Sequence, residues 1–425
     1  MEKNSKKWSM VNYIFLWIGV CFSIPTFMVT ETLWNYGLSV IQILVITSLA
    51  SLLMGILMVL VAFVSYDHGM SFTNLVEQCF GKKLSKAVLF FRMLVCSGWF
   101  GINVCFCCET IINTFFQKNH NSRIVIYVLL FICFSITNLL LSTNNEIIRN
   151  CEKVSSVILL LFFIIIPAVL FFFYKRNVFE FNLVNTIILK KGSIFSSFML
   201  VFVYWSGFVT NIPDFINKGK TIKSVIYGNT LGITIGMLLV VSISLFFCGF
   251  YKSISNSLIW NPITAICNIF HNKYINIISC LMMIIFMFTT NIASNSYPAI
   301  KCIKRIFKCQ SSKSMLILLL VSCLFCPWYL ISSANSFSMY WINTYSIFSL
   351  PLISVFISSR MIGYRQSNKR ISVLYLSICA FLLIFHILSP QFDNITLIIS
   401  ALLPLFIGVW GKHVKNNKNN CIIRN

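Results

Sequence analysis

The stretch Tyr204-Trp205-Ser206-Gly207-Phe208-Val209-Thr210-Asn211-Ile212-Pro213-Asp214-Phe215 decides how this chain folds. It lies in an apolar run long enough to cross a bilayer, yet it carries features that a plain anchor avoids. The Ser206-Gly207 pair is a weak point for helical hydrogen bonding, because Gly costs roughly 1 kcal/mol relative to Ala in a helix interior. Pro213 removes a backbone donor and obstructs the carbonyl one turn earlier. In hydrocarbon, freed backbone groups persist only where they line a cavity or are buried in protein. An interrupted membrane helix is therefore a place to hold something polar, and the break is expected at Ser206-Gly207. The N-terminal stretch Trp17-Ile18-Gly19-Val20-Cys21-Phe22-Ser23-Ile24-Pro25-Thr26-Phe27 repeats the pattern. Trp, Gly, a small polar residue, then Ile-Pro-polar-Phe recur at identical offsets. Paired interrupted segments in two halves of a chain point to a transporter binding site.

Composition sets the class. Hydrophobic residues make up 58% of the 425 residues and charged residues 10%, against about 25% charged in soluble domains. The chain is therefore expected to be an all-α polytopic membrane protein. Its 17 cysteines are scattered through apolar runs without metal-type spacing, and they read as small core residues. The net charge of +23 comes from basic residues in short loops, where they set orientation and meet anionic headgroups rather than nucleic acid.

About twelve spans of roughly 20 residues each can be placed, over 9–34, 38–65, 86–115, 123–142, 153–174, 193–216, 224–250, 275–299, 314–333, 338–359, 371–389 and 393–411. The first is read as a retained span rather than a cleaved signal. With the N-terminus inside, inner loops carry about three times the Lys and Arg of outer loops, as the positive-inside rule requires. Both termini are then cytoplasmic, in a plasma or inner membrane. Spans 1 and 6 run antiparallel, so their likeness is that of an inverted repeat. One transporter unit over 1–425 is expected: repeat one over 9–174, repeat two over 193–359, extra helices over 371–411 and a basic tail over 412–425.

Polar groups inside spans mark candidate sites. In span 3, Trp99 and Asn103 share a helix face; a flat aromatic beside an amide suits a planar heterocycle, with interface packing of the indole as the alternative. In span 8, Thr289, Thr290, Asn291 and Asn295 make an oxygen cluster without a carboxylate, which suits a monovalent cation; interhelical hydrogen bonding is the alternative. Three acids lie in or near spans. Glu31 and Glu109 fall toward the outer ends, where snorkelling or a gate contact explains them, and Asp214 is level with Arg92 for an ion pair. His386 reads as a packed residue. No nucleophile–base, paired-carboxylate or phosphate-loop arrangement points to an enzyme.

These segments resemble the first nucleobase–cation symporter family. The likeness runs through Trp17 to Pro25, Gly37-Leu38-Ser39 with Gln42, Tyr66-Asp67-His68-Gly69 to Phe80-Gly81, and Gly98-Trp99-Phe100-Gly101. It continues through Trp205 with Ile212-Pro213-Asp214-Phe215, Trp260-Asn261-Pro262, Thr289-Thr290-Asn291 to Asn295, and Pro327-Trp328. The resemblance implies a leucine-transporter-like 5+5 inverted repeat plus two C-terminal helices. It implies that Trp99 and Trp205 sandwich the substrate, with Asn103, Asn295 and Ser23 at its edge. It also implies a sodium site from carbonyls of Gly19, Phe22 and Phe286 and hydroxyls of Thr289 and Thr290. Asn103 and Ser23 stand where the hydantoin permease of the family has Gln, Tyr204 replaces a small residue, and Ile216-Asn217 replaces a frequent Thr-Arg.

The expectation is a monomeric secondary transporter that takes up a cytosine-like nucleobase or related planar nitrogen heterocycle with Na⁺, without a cofactor. Three alternatives stay open. One is a proton-coupled permease for a purine, allantoin or a vitamin precursor. Another is a non-transporting sensor on the same scaffold. The third, an amino-acid permease, would need helix ends able to seize a carboxylate and an amine.

Overall fold

The computed structural model describes residues 8–66, 69–116, 120–142, 145–173, 188–189, 193–216, 218–255, 257–324, 334–362, 369–388, 394–399, 402–403 and 406. Asp67-His68, Asn217, Pro327-Trp328, most of the twelfth expected span and the basic tail lie outside the described residues. The described chain is helical, without a β-strand. Seven helices are long and apolar enough to cross a membrane, and an eighth crossing is the bent pair α1 and α2. Shorter apolar helices stand where spans 6, 9 and 11 are expected.

Helices α1 (Met10–Cys21) and α2 (Ile24–Asn35) are bent by 67°. Phe22 and Ser23 between them are extended. Pro25 falls in the first turn of α2, where its missing N–H removes no helical bond. After α3 (Val40–Tyr66), α4 (Phe72–Phe115) contains Gly81 at φ 72°, so a short leading helix joins the expected third span at a left-handed kink. Two further helices, α5 (His120–Leu141) and α6 (Asn145–Phe173), complete the first half. Their apolar faces at Ile124, Leu129, Leu140, Ile164 and Phe172 are exposed, as expected beside lipid.

The second half opens with another broken crossing: α7 (Ser193–Tyr204), α8 (Ser206–Val209) and α9 (Pro213–Ile216). The expected break at Ser206-Gly207 is displaced. Both residues are helical, and the interruptions fall at Trp205 and over 210–212. The Tyr345 hydroxyl satisfies the carbonyl freed at Tyr204, and the Ser206 hydroxyl donates to Val203 O at 2.7 Å. Pro213 starts α9 for the same reason that Pro25 lies in the first turn of α2. Next come α10 (Ile222–Ser255), α11 (Pro262–Phe270) and α12 (Lys273–Asn291), the last continuing through a π-helical turn at Ile292–Ser296 into α13 (Tyr297–Phe307). Then come α14 (Ser311–Leu324), α15 (Ala334–Ile362) and α16 (Lys369–Leu388), and residues 394–399 are helical as well.

Packing follows residue size. Gly228, Gly232 and Gly236 form a groove along α10, and a Cβ on them would meet Tyr13, Trp17 and Cys21 of α1 at 2.6, 2.8 and 2.8 Å. Both series repeat every four residues, so one helix surface accepts the other along its length. Trp17 Nε1 donates to Asn229 Oδ1 at 2.8 Å within this seam. Helix α1 also packs on α6 and α12, while α3 packs on α7 and α10, and α15 covers α7 and α8. The two broken crossings are thereby held in the middle of the bundle.

Candidate functional site

The first cluster forms where the bend in crossing 1 meets α12. Ending α1 at Cys21 leaves the carbonyls of Gly19 and Phe22 without helical partners. Thr290 Oγ1 donates toward both, at 3.0 and 3.3 Å. One residue away, Thr289 Oγ1 donates to Phe286 O at 3.1 Å. Thr290 therefore ties both freed carbonyls of the first crossing to α12, the Phe22 and Phe286 rings meet at 6.1 Å, and the Thr289 hydroxyl stays bonded within its own helix. Carbonyl and hydroxyl oxygens form the kind of donor set that a dehydrated monovalent cation takes.

The second cluster lies between the breaks. Tyr204, unexplained by sequence, joins them: its hydroxyl shares a hydrogen bond with Thr26 Oγ1 at 3.0 Å, and Thr26 Oγ1 another with Ser23 Oγ at 3.0 Å. Its ring stands edge-on to Trp99 at 6.2 Å and to Trp205 at 5.0 Å. Tyr204 thus sits between the two indoles expected to sandwich a ligand. Trp205 is fully buried, in contact with Trp17 at 6.1 Å and Phe208 at 4.8 Å. Asn103 and Asn295 do not meet directly. Each donates to Asn291 Oδ1, at 3.5 and 2.8 Å, while Asn291 Nδ2 donates to Phe100 O at 3.3 Å. Asn291 is therefore the hub of the amide cluster, Asn295 lying one helical turn on, and within the π-helical turn the Ser296 hydroxyl donates to Asn291 O at 2.9 Å. Within this cluster two buried polar atoms have no hydrogen-bond partner among the described residues: Asn103 Oδ1, an acceptor, and Trp205 Nε1, a donor. A planar ligand carrying both a ring N–H and an acceptor would satisfy such a pair.

One end of the bundle is closed by charge. The expected pair between Arg92 and Asp214 is present at 2.8 Å, and Lys301 Nζ reaches the other carboxylate oxygen at 3.1 Å. Arg92 also donates to Asn211 Oδ1 at 2.7 Å, and Asn211 Nδ2 to Ser294 O at 2.9 Å. The guanidinium lies over the Phe72 ring at 3.8 Å. This latch ties α4, α9 and α13 together, and Arg305 with Glu77 adds an exposed pair. On the same side Trp8 pairs with Gly219, through Trp8 N to Lys218 O at 3.0 Å and Lys220 N to Trp8 O at 2.8 Å.

The other end is open. A cavity of about 520 Å³ is lined by Ile24, Glu109, Thr110, Thr114, Asn261 and Asn276, among others. Glu109 thus faces a vestibule beside the start of α2, whereas Glu31 is half-buried on α2 itself. His386 is buried against the Tyr340 ring at 5.2 Å. The count of three acids in spans omits Glu152, which the structure buries inside α6. Its neighbours Arg149 and Lys153 mark the segment as a loop by charge, whereas in the structure Ile148, Glu152, Ser155 and Leu159 lie buried at helical spacing on α6.

No curated protein sequence matches the chain. Among solved structures, Mhp1, a nucleobase-cation-symport-1 family transporter in a closed conformation with bromovinylhydantoin bound, aligns at a TM-score of 0.75 with 17% identity, over 95% of this chain and 92% of that one. The inward-facing conformation of Mhp1 aligns at 0.69 with 16% identity, over 95% and 90%. A substrate-bound, outward-open Na⁺-coupled sialic acid symporter aligns at 0.52 with 15% identity, over 95% and 96%. At these identities the likeness establishes a shared fold. The family described as permeases for cytosine/purines, uracil, thiamine and allantoin matches residues 1–380, so this chain, with its two broken crossings and buried polar centre, belongs to that permease family.

Proposed function

We propose that the chain is a sodium-coupled symporter for a cytosine-like nucleobase or a related planar nitrogen heterocycle, working by alternating access. The observation that supports this reading is the bonding of Thr290 to the Gly19 and Phe22 carbonyls freed at the bend of crossing 1, with Thr289 and Phe286 next to it on α12. A cation held there ties α1 to α12, and its release frees the two to separate. The heterocycle lies next to Trp99 and Trp205, with Tyr204 shaping the seat and Asn103, Asn295 and Ser23 reading its edge. The unpartnered Asn103 Oδ1 and Trp205 Nε1 supply one acceptor and one donor to it. Asn291 orients both amides.

The architecture is read as two five-helix repeats of opposite orientation, followed by two helices. Paired packing supports this: α1 on α10 is matched by α7 on α3, and α1 on α6 by α7 on α15. The latch lies on the cytoplasmic side with both termini, in keeping with the loop charge. The protein is taken to act as a monomer in the plasma or inner membrane. Closing one end by charge and opening the other to a vestibule is the arrangement of a carrier waiting for substrate from outside.

The test is a thermal-shift screen of the purified protein against cytosine, purines, uracil, hydantoins and allantoin, in Na⁺ and in choline. A heterocycle should stabilise the protein only when Na⁺ is present. Trp99→Ala and Trp205→Ala should abolish that shift, with Thr290→Ala weakening it at least tenfold in Na⁺ concentration. Full binding in both indole variants refutes the aromatic seat, and counterflow of labelled heterocycle in vesicles separates a carrier from a sensor.

A further inference from the structure

Tyr204 stands between the two indoles of the proposed seat, and it is fixed there from four sides. Its ring lies edge-on to Trp99 at 6.2 Å, with an interplanar angle of 85°, and to Trp205 at 5.0 Å, with an angle of 81°. The hydroxyl shares a hydrogen bond with Thr26 Oγ1 on α2, which shares another with Ser23 Oγ, both at 3.0 Å. The Tyr204 carbonyl accepts from the Tyr345 hydroxyl on α15. With 4% exposure, the phenol is enclosed by protein.

The two walls are backed as firmly as the phenol is held. Next to Trp99, Gly98 lies against α15: a Cβ on it would meet the Trp341 indole at 2.8 Å. Tyr345 stands edge-on to Trp99 at 6.3 Å and to Trp341 at 6.4 Å, so α15 supports this wall with two further rings. Trp205 is fully buried, with Trp17 at 6.1 Å and Phe208 at 4.8 Å. An interior packed in this way resists added atoms, because each extra group forces side chains off their rotamers. A ring stacked on either indole therefore shares that face with the edge of the phenol. One ring fits beside it, and a second ring fused to the first runs into Tyr204.

The geometry points to Tyr204 as a size filter that restricts the substrate to monocyclic heterocycles and turns away fused bicyclic ones. This inference rests on the reading that a planar heterocycle lies against Trp99 and Trp205. The seat's two polar atoms without partners among the described residues, Asn103 Oδ1 and Trp205 Nε1, ask for one donor and one acceptor, which a single ring with an N–H and a carbonyl supplies. A purine exceeds a pyrimidine by a fused five-membered ring. That ring is smaller than a phenol, so removing the Tyr204 side chain frees the space it needs.

The experiment measures thermal stabilisation of the purified full-length protein in Na⁺ by cytosine, uracil and hydantoin, against adenine and hypoxanthine. Wild type should bind its best monocyclic ligand at least about tenfold more tightly than either purine. Tyr204→Ala should gain about tenfold or more in purine binding, and Tyr204→Leu, which leaves a smaller hole, should move the ratio in the same direction. Tyr204→Phe keeps the ring and should keep the wild-type preference. The filter is overturned if wild type binds a purine as tightly as its best monocyclic ligand, a comparison that needs no variant to fold. It is overturned equally if the truncated proteins bind the monocyclic ligand and still reject purines. If no ligand of either ring size stabilises wild type or the truncated proteins, the heterocycle reading itself has failed, and the filter with it.

Discussion

The two ends of this bundle solve opposite problems with different chemistry. At the latch end, Asp214 is neutralised by Arg92 and Lys301 at 2.8 and 3.1 Å, and Asn211 extends the network to the backbone of Ser294. At the vestibule end, uncharged side chains such as Thr110, Thr114, Asn261 and Asn276 surround about 520 Å³ of space, with Glu109 the one carboxylate among the described residues that line it. Charged pairs withdrawn from water form a two-state closure: strong while every member is present, costly when one is missing. Hydroxyls and amides hydrogen-bond water nearly as well as each other, so a surface built from them opens at little cost. An alternating carrier needs both kinds of end.

The largest expected effect breaks the latch. Arg92→Ala leaves Asp214 buried with Lys301 as its remaining cation and should cost about 3 kcal/mol. Cys96 and Cys302 lie beside Arg92 and are buried. Their labelling by a membrane-permeant maleimide should rise sharply in the variant. Unchanged labelling would mean that the charge cluster does not close this end.

A smaller effect probes the vestibule. Asn261 caps α11 by accepting from the Ile263 and Thr264 amides at 3.0 and 3.5 Å. Asn261→Ala should cost about 1 kcal/mol, seen as faster hydrogen exchange in the first turn of α11. Labelling at the latch should stay at its wild-type level. A latch response to this change would show the two ends to be more tightly coupled than their chemistry suggests.

The smallest effect concerns pH. Burial, with the Lys301 charge near it, pushes the Lys218 ammonium down to about 8 from its usual 10.5. Between these values the unfolded chain holds more protons than the folded one, so stability from this group rises with pH across the window from about 8 to 10.5. Below it the cost of a buried charge is present in full. Lys218→Met should raise the unfolding temperature by about 2 °C or more at pH 7 and flatten its dependence between pH 8 and 10. Equal slopes for the two proteins would place Lys218 in water.

Much of the centre was legible because it is written in local pattern. The interruption of both the first and the sixth crossing, the hydroxyl pair at Thr289-Thr290 and the partnership of Arg92 with Asp214 each follow from residue type, spacing and hydropathy. The groove of Gly228, Gly232 and Gly236 was equally available as a four-residue repeat, but only the bundle shows Tyr13, Trp17 and Cys21 lying in it. The exact place of the second break was not legible. The Tyr345 hydroxyl, far away in sequence, supplies the hydrogen bond that lets the helix end at Tyr204.

By itself, then, the sequence determined a helical membrane protein with two broken crossings and a polar centre, because bilayer thickness and helical hydrogen bonding constrain every span separately. Tertiary structure decided what those crossings enclose. It placed Tyr204 between the indoles, made Asn291 the hub of the amides and brought Glu152 against Gly19. Each depends on the angle and register at which one helix meets another, and those are set by side chains hundreds of residues apart rather than by any local run. The stretch from Tyr204 to Phe215 announces an interruption; its meaning comes from Thr26, Trp99 and Tyr345 across the bundle.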